Sequence, residues 1–470
     1  MRRALAVAFG AGALAGCTLE PTYVRPTPAI PASWPVGAAY PPTSQAALPS
    51  VRYQDIFREP RLQAVIVRAL ANNQDLQVAM ANVGIARAQY RIQRAQLLPQ
   101  IDATASGAES QTQTQVAGVT TARRQIDRSF NADVGFSSFE LDLFGRLRSL
   151  SHAAQQQYLA SEAGARTARL TLVAEVATAY LTLATDRSLL AVTVETEASA
   201  AQSVKLTRAR LVGGVAPRTD LALAETTLFQ ARSDRANLTT IVAQDRNALE
   251  LLVGAPVPDA DLPASIESVD GMIGELPAGL DSRILLRRPD VEQAEHQLRA
   301  ANAQIGAARA AFFPSISLTG LAGVASPYLS ALFNGNNFVW SAQAAAAQTL
   351  FDGGANRGNL ALTKAQRDLA TAQYQLAIQT AFREVADALA RQGTINSQMA
   401  AQTSLEAAAA DNYVLVQALY KEGIDSYLDA LIAQRTLYSA RLTLASTRLL
   451  RASNLVTLYR TLGGDMLAGG

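Results

Sequence analysis

The chain has 470 residues, with 41 Lys and Arg against 39 Asp and Glu, two histidines and one cysteine. That balance supplies no basic face for phosphates and excludes a nucleic-acid binder; a zinc site needs three or four His or Cys ligands, and a lone cysteine excludes an intrachain disulfide. With 49% apolar and 17% charged residues, the composition fits neither a disordered chain nor a highly charged soluble one. No cofactor and no metal are expected.

Residues 1–17 read MRRALAVAFGAGALAGC. Arg2 and Arg3 form a basic n-region, and the apolar stretch to Gly16 is too short for the ~20 residues that span a bilayer. Leu14-Ala15-Gly16-Cys17 resembles a bacterial lipobox, in which the cysteine is lipidated and becomes the new N-terminus. The other reading is an ordinary secretory signal with a chance Cys. Thr18, in place of Asp, suggests the outer membrane by analogy with Gram-negative lipoproteins. No later stretch is apolar for 18 residues, so no transmembrane helix is predicted.

Nine of the 18 prolines fall between Pro21 and Pro60, which predicts an extended strap from Cys17 to about Ser50. No proline interrupts the chain between Pro99 and Pro217, or after Pro327. These gaps permit very long helices, predicted over 153–211, 218–253, 357–421 and 427–462. Gly213-Gly214 and Gly423 separate the members of each pair, and Gly254 and Gly463-Gly464 close them. A helix of ~60 residues is ~90 Å long at 1.5 Å per residue.

The first long helix carries two apolar seams: Leu170, Val173, Ala177, Tyr180 and Ala184, and Leu172, Val176, Ala179 and Leu183. Two seams imply neighbours on two sides, as in a wall of helices. The last carries a seam through Leu428, Leu431, Arg435, Tyr438, Leu442, Ala445, Leu449, Ala452, Val456 and Tyr459, a spacing that predicts coiled-coil packing.

The chain repeats itself. Shifted by 215, residues 75–101 align on 290–316, and Leu97-Leu98-Pro99-Gln100-Ile101 meets Phe312-Phe313-Pro314-Ser315-Ile316. Shifted by 209, Gly214, Asp220, Ala224 and Gly254 meet Gly423, Asp429, Ala433 and Gly463. Each copy reads helix, strand, strand, long helix, turn, helix. The predicted layout is a signal (1–16), a Pro-rich strap (17–60), a first repeat (61–253), a connector (254–286), a second repeat (287–464) and a tail (465–470).

Between each proline and its long helix lie two strand-like runs. Phe130, Ala132, Val134 and Phe136 alternate with polar residues or glycine, and the parity then flips to Phe139, Leu141 and Leu143, as at a bulge. In the second copy Ile316 and Leu318 alternate, as do Phe338, Trp340, Ala342 and Ala344. Residues 107–127 and 325–337 read as exposed loops. Four strands cannot close a barrel, and open edges are not tolerated in hydrocarbon. Membrane strands would therefore require several chains to share one barrel; the pattern is equally compatible with two soluble hairpins packed on the helices.

The combination resembles the outer-membrane efflux channels of the TolC/OprM type, the lipoproteins that serve resistance-nodulation-division pumps. The resemblance rests on the lipobox with Glu20-Pro21-Thr22-Tyr23-Val24-Arg25-Pro26 and on Phe57-Arg58-Glu59-Pro60-Arg61-Leu62. It extends to Arg87-Ala88-Gln89-Tyr90 through Leu97-Leu98-Pro99, Arg287-Arg288-Pro289-Asp290, and Asp425-Ser426-Tyr427-Leu428-Asp429. It implies a mainly α protein with membrane β: a homotrimer sharing a twelve-stranded barrel, four strands per chain, above a periplasmic coiled-coil tunnel. It also implies a periplasmic adaptor, an inner-membrane pump and outer-membrane lipid as partners, and no enzymatic activity. An outer-membrane duct for type I protein secretion and a lipid-anchored scaffold without a pore are the alternatives.

The same resemblance places the turns at 212–219 and 421–427 at the periplasmic tip. Arg208, Arg210, Asp220, Lys421, Glu422, Asp425 and Asp429 lie around them. Arg210, Asp220, Asp425, Leu428 and Asp429 are the expected gate, since three-fold symmetry turns one Asp into a ring of three. Related channels often carry an acid four residues after that Leu; here it is Ile432. Leu211, Gly214, Val215, Ala216, Tyr420, Gly423 and Ile424 are the expected exposed set that meets the adaptor. The plain alternative is that these residues only cap helices and build turns. His152 and His296 read as isolated, solvated helix positions, and Pro289 as the first residue of a helix.

Overall fold

The structure, a computed structural model, describes residues 18–41, 52–114, 123–273 and 282–467. The lipobox and Cys17 lie outside the described residues. Among those described, the chain order is α1 (Tyr53–Ile56), α2 (Pro60–Asn72), α3 (Gln74–Ala95), β1 (Asp102–Thr114), β2 (Arg123–Leu141), α4 (Arg146–Val212), α5 (Arg218–Val253), α6 (Ile266–Val269), α7 (Pro289–Ala310), β3 (Ser315–Ser326), β4 (Phe338–Ala347), α8 (Ala355–Glu422) and α9 (Tyr427–Thr461). The helix predicted from 153 begins seven residues earlier, at Arg146, because Asp142 accepts from the backbone N–H groups of Leu147 (3.1 Å) and Arg148 (2.8 Å) and so caps the first turn. α7 starts at Pro289, as the Arg288-Pro289-Asp290 run predicts.

The chain divides into two compact units. The first holds the N-terminal segment to Pro26, residues 83–161 and residues 294–374. Its sheet is fully antiparallel in the order β1-β2-β3-β4. The β2–β3 register slips between Phe136 and Phe139, where the side-chain parity flips. Ser138 sits in the slip with φ of 55°, and its N–H donates to Thr319 Oγ1 at 3.1 Å. Much of the loop expected over 107–127 is strand instead: Gly107 pairs with Phe130, and Gln111 with Ile126. A ladder is made by backbone groups, so polar Gln and Thr side chains do not end it once the partner strand is in place. Among the described residues, β1 and β4 each pair on one side only, and Phe338 and Trp340 of β4 are exposed.

Residues 18–28 of the predicted strap form neither helix nor strand, residues 29–40 carry bends and a turn, 42–50 lie outside the described residues, and the first part is tied down. Its Leu19 and Pro21 carbonyls accept from Arg309 (3.1 Å) and Asn302 (2.7 Å), and Arg25 grips Glu295 with two bonds of 2.9 and 2.7 Å. The strap also corrects the reading of the two histidines. Glu20 brings both carboxylate oxygens to 3.0 Å from His152 Nδ1, Gln156 Nε2 lies 3.1 Å from His152 Nε2, and Gln156 Oε1 lies 2.7 Å from His296 Nδ1. The hydrogen bond that His152 donates to Glu20 raises its pKa. Sequence spacing could not show that the strap reaches His152 on α4, or that Gln156 joins His152 to His296 on α7.

The second unit holds residues 27–82, 162–293 and 375–470. Both seams of α4 are used: Leu170, Val173, Ala177, Tyr180 and Ala184 are buried, and so are Leu172, Val176 and Leu183. The Tyr459 ring lies edge-on to Phe57 at 5.3 Å, and both are fully buried. Arg288 is buried with Asp290 (2.7 Å), Glu384 (3.0 Å) and the Thr461 carbonyl (2.8 Å) around it. The seam predicted on α9 holds in its C-terminal half, where Ala445, Ala452, Val456 and Tyr459 are buried. In the N-terminal half, Leu431 is buried as predicted, but Leu428 and Arg435 are exposed and Tyr427, Gln434 and Leu437 are buried in their place. A helix of 3.6 residues per turn rotates a strict heptad row by ~20° each repeat, so one row does not stay inside along its whole length.

Candidate gate at the paired helix turns

The two turns that join long helices are built alike. After α4, Gly214 takes φ of 74°; after α8, Gly423 takes φ of 80°. Glycine adopts this left-handed conformation without a Cβ clash. The N–H of Val215 then donates to the Arg210 carbonyl, and that of Ile424 to the Leu419 carbonyl, both at 3.0 Å, which closes each helix with a Schellman-type bond. The following helices start differently. Pro217 precedes α5 with no side-chain cap. Ser426 caps α9: its hydroxyl accepts from the Asp429 N–H at 3.3 Å and donates to Asp429 Oδ2 at 2.6 Å.

Under the turns lies one apolar cluster drawn from four helices: Ala200 and Val204, Ala224 and Leu228, Tyr420, and Tyr427, Ala430 and Leu431. Arg210 crosses it. Its guanidinium carbon sits 4.4 Å from the centre of the Tyr420 ring, and Nη2 donates to the carbonyls of Tyr420 and Lys421, both at 2.9 Å. Those carbonyls belong to the last turn of α8, where intrahelical partners run out and a cation is favoured. The Tyr420 and Tyr427 rings are 5.5 Å apart. The Tyr427 hydroxyl is buried without a hydrogen-bond partner among the described residues. Burial first, and then the neighbouring Tyr420 and Asp220, push its phenol up to about 12.

The structure thus brings Arg210 onto Tyr420 and sets Asp220 near Tyr427. Asp220 and Asp425 are half-buried, while Asp429 is exposed and accepts from the Ser426 hydroxyl that caps α9. Leu428 is 53% exposed, Val215 77% and Ile424 71%. Gly214 and Gly423 are open, and Leu211 and Ala216 are half-buried. Tyr420 departs from the expected exposed set: it is 5% exposed, because its ring is closed in by Arg210 and Tyr427.

Sequence reasoning missed a row of hydroxyl ties along α4. Ser199 meets the Tyr413 hydroxyl at 2.7 Å, Thr193 meets Tyr438 at 3.1 Å, and Thr207 meets Tyr420 at 3.4 Å. The signal was present in Tyr413 and Tyr420, one heptad apart. Charge ties accompany the row: Glu197 pairs with Arg232 and Arg235, and Arg441 with Glu195 and Glu406. A groove of about 430 Å3 opens beside them, lined by Thr226, Gln230, Asp234, Gln434, Arg435 and Tyr438. Farther along α4, burial and the facing Asp245 push the Asp186 carboxyl up, to about 7. Among the described residues, no group of three or more His, Cys, Asp or Glu is placed to hold a metal. The arrangement offers packing, charge and hydroxyl contacts between helices that end in paired turns.

Comparison with known proteins gives the same answer along the whole chain. The family model for outer membrane efflux proteins matches residues 65–255 and again 280–464. The probable efflux pump outer membrane protein TtgC of Pseudomonas putida is 43% identical over 462 residues, covering 98% of this chain and 95% of that protein. The outer membrane protein OprJ of Pseudomonas aeruginosa is 39% identical, covering 97% and 96%. The crystal structure of the open state of the MtrE outer membrane channel of Neisseria gonorrhoeae superposes with a TM-score of 0.81 at 36% identity, covering 96% of this chain and 99% of that one. The repeat, the sheet and the long paired helices are those of one family, and this chain belongs to it: the outer membrane efflux proteins.

Proposed function

We propose that this chain is the outer-membrane exit duct of a tripartite efflux pump, a passive channel that performs no chemistry. Three copies share one twelve-stranded barrel, and the helices form the periplasmic tunnel. The observation that carries this reading is the four-stranded sheet with two open edges in a chain of this family. An open edge in hydrocarbon costs several kcal/mol per unsatisfied group, and a shared barrel removes it. A periplasmic adaptor and an inner-membrane resistance-nodulation-division pump complete the path. Related proteins are named for toluene and for antibiotics, which supports small organic molecules as cargo.

In this reading Cys17 carries the lipid and the domain layout follows the two repeats. Arg210, Asp220, Asp425, Leu428 and Asp429 form the periplasmic gate. Leu211, Gly214, Val215, Ala216, Gly423 and Ile424 offer the adaptor its surface, with Tyr420 as the packed support beneath. The test is the protein mass of the detergent-extracted particle by light scattering, followed by conductance in planar bilayers. A mass of three chains and a gated conductance are expected; a stable single chain without conductance overturns the reading.

A further inference from the structure

We propose that Glu20, His152, Gln156 and His296 form a pH-sensitive clasp, which fastens the N-terminal strap to α4 and α7 when it holds an added proton and loosens when that proton leaves. Glu20 lies three residues after Cys17, so the clasp governs how firmly the anchored end is tied down. That consequence rests on the Cys17 reading above; the clasp itself does not.

The chain has two histidines, and both enter one line of hydrogen bonds. Glu20 sets both carboxylate oxygens 3.0 Å from His152 Nδ1. Gln156, which is buried, spans from His152 Nε2 at 3.1 Å to His296 Nδ1 at 2.7 Å. The strap is seated closely here, since a Cβ on Gly306 of α7 would lie 2.8 Å from the Glu20 Cα. The other ties of this segment are Arg25 on Glu295, Arg309 on the Leu19 carbonyl and Asn302 on the Pro21 carbonyl. Against its burial, bonds from Arg25 and Arg299 hold Glu295 below the ordinary carboxylate value. Only the histidine tie therefore changes charge near neutral pH.

The donors of the line run one way. His152 keeps its proton on Nδ1 and donates to Glu20, its bare Nε2 accepts from the Gln156 amide, and Gln156 Oε1 accepts from His296 Nδ1. A proton added at His152 Nε2 would face the amide NH2, which is also a donor. Gln156 must then turn, with Oε1 toward His152 and NH2 toward His296. His296 Nδ1 must accept, which keeps that ring neutral with its proton on Nε2. The line takes one proton, on the ring that touches the carboxylate. The bond to Glu20 becomes charge-assisted, roughly twice as strong as a neutral one.

The hydrogen bond to Glu20 raises His152 above the ordinary imidazole value of 6.5, while burial and Arg299 of α7 pull the other way. Arg299 is itself paired with Glu295 at 2.7 Å, and on α4 Arg148 is paired with Asp142 at 3.1 Å. Because the docked strap favours the protonated ring, protonation favours docking. This contribution is complete below the value of the undocked ring and is lost as pH rises through the higher value of the docked one.

The test uses the full-length protein in lipid vesicles. A spin label on Val24→Cys, where the side chain is 78% exposed, reads strap motion by electron spin resonance between about pH 5.5 and 8.5, with the unsubstituted protein as labelling control. Motion should be low in acid and rise through a midpoint above 6.5. His152→Gln and Glu20→Gln should each lose the step. Arg25→Gln should raise motion at every pH and keep it. Nitrogen NMR of histidine-labelled protein, prepared without a histidine tag, has two rings to resolve. His152 should take up a proton at the same midpoint, while His296 stays neutral and exchanges its tautomer. A parent protein without the step, or a step that survives in His152→Gln, overturns the clasp. Protonation of both rings over this range overturns the one-proton line. Neither result alters the particle mass that tests the channel reading.

Discussion

Arg210 holds Tyr420 twice, with its guanidinium carbon 4.4 Å from the ring centre and its Nη2 2.9 Å from the same residue's carbonyl oxygen. One side chain thereby fastens the end of the first repeat's long helix to the end of the second's. A cation–π contact and a charge-assisted bond of this kind contribute about 1–3 kcal/mol together. Arg210→Ala is expected to loosen the turns and raise single-channel conductance. Arg210→Lys, which keeps the charge but loses the planar fork, should fall between it and the parent. Conductance unchanged in both would remove Arg210 from the gate.

Asp220 is half-buried near Tyr427, whereas Asp429 is exposed and tied to Ser426. In a three-fold ring either would favour cations. Asp220→Asn and Asp429→Asn are each expected to lower the cation-to-anion permeability ratio, read from reversal potentials in a salt gradient. Ser426→Ala, which removes the hydroxyl that accepts from the Asp429 N–H, should destabilise the start of α9 by about 0.5–2 kcal/mol, the usual cost of a lost cap.

Arg288 is buried among Asp290, Glu384 and the Thr461 carbonyl. Removing one partner of a buried ion pair strands the other charge and costs about 3–5 kcal/mol. Arg288→Ala should lower the temperature at which the extracted particle unfolds by several degrees, with little change in the selectivity of whatever channel still assembles. Unchanged thermal stability would mean that Glu384 finds water instead.

Asp186 faces Asp245, and its carboxyl is raised to about 7, first by burial and then by that neighbour. The folded protein keeps a proton that the unfolded chain gives up near pH 3.8. Stability from this site is therefore complete below about pH 4 and is lost as pH rises through 7. Asp186→Asn removes the dependence. Its thermal midpoint should match the parent near pH 4 and exceed it progressively up to about pH 7.5. A constant gap across that range would show that the pair does not share a proton.

The long helices were legible because proline gaps, glycine stops and two apolar seams all agree over many turns. The slip in β2 was legible from a single parity flip at Phe136 and Phe139. What stayed hidden depends on partners distant in sequence. Glu20 could not be matched to His152 by any periodicity, since 132 residues separate them. The inward row of α9 was misassigned near Leu428 because several 3/4 rows run through Ala, Leu and Thr, and only the cluster around Tyr420 selects among them. Likewise, Gln and Thr along β1 hide a strand that its partner's backbone makes.

The first hairpin reaches past its own sheet. β3 covers β2 only from Phe130 onward, so Arg123 to Ser129 pair with β1 alone. Seven residues at ~3.3 Å each make a two-stranded ribbon of ~23 Å. It is braced by Arg128 against Glu109 and by Thr112 against Asp127, and no third strand among the described residues pairs with it. Its residues contribute to neither the buried seams nor the paired turns, so substitutions that keep the β1–β2 pairing leave both in place.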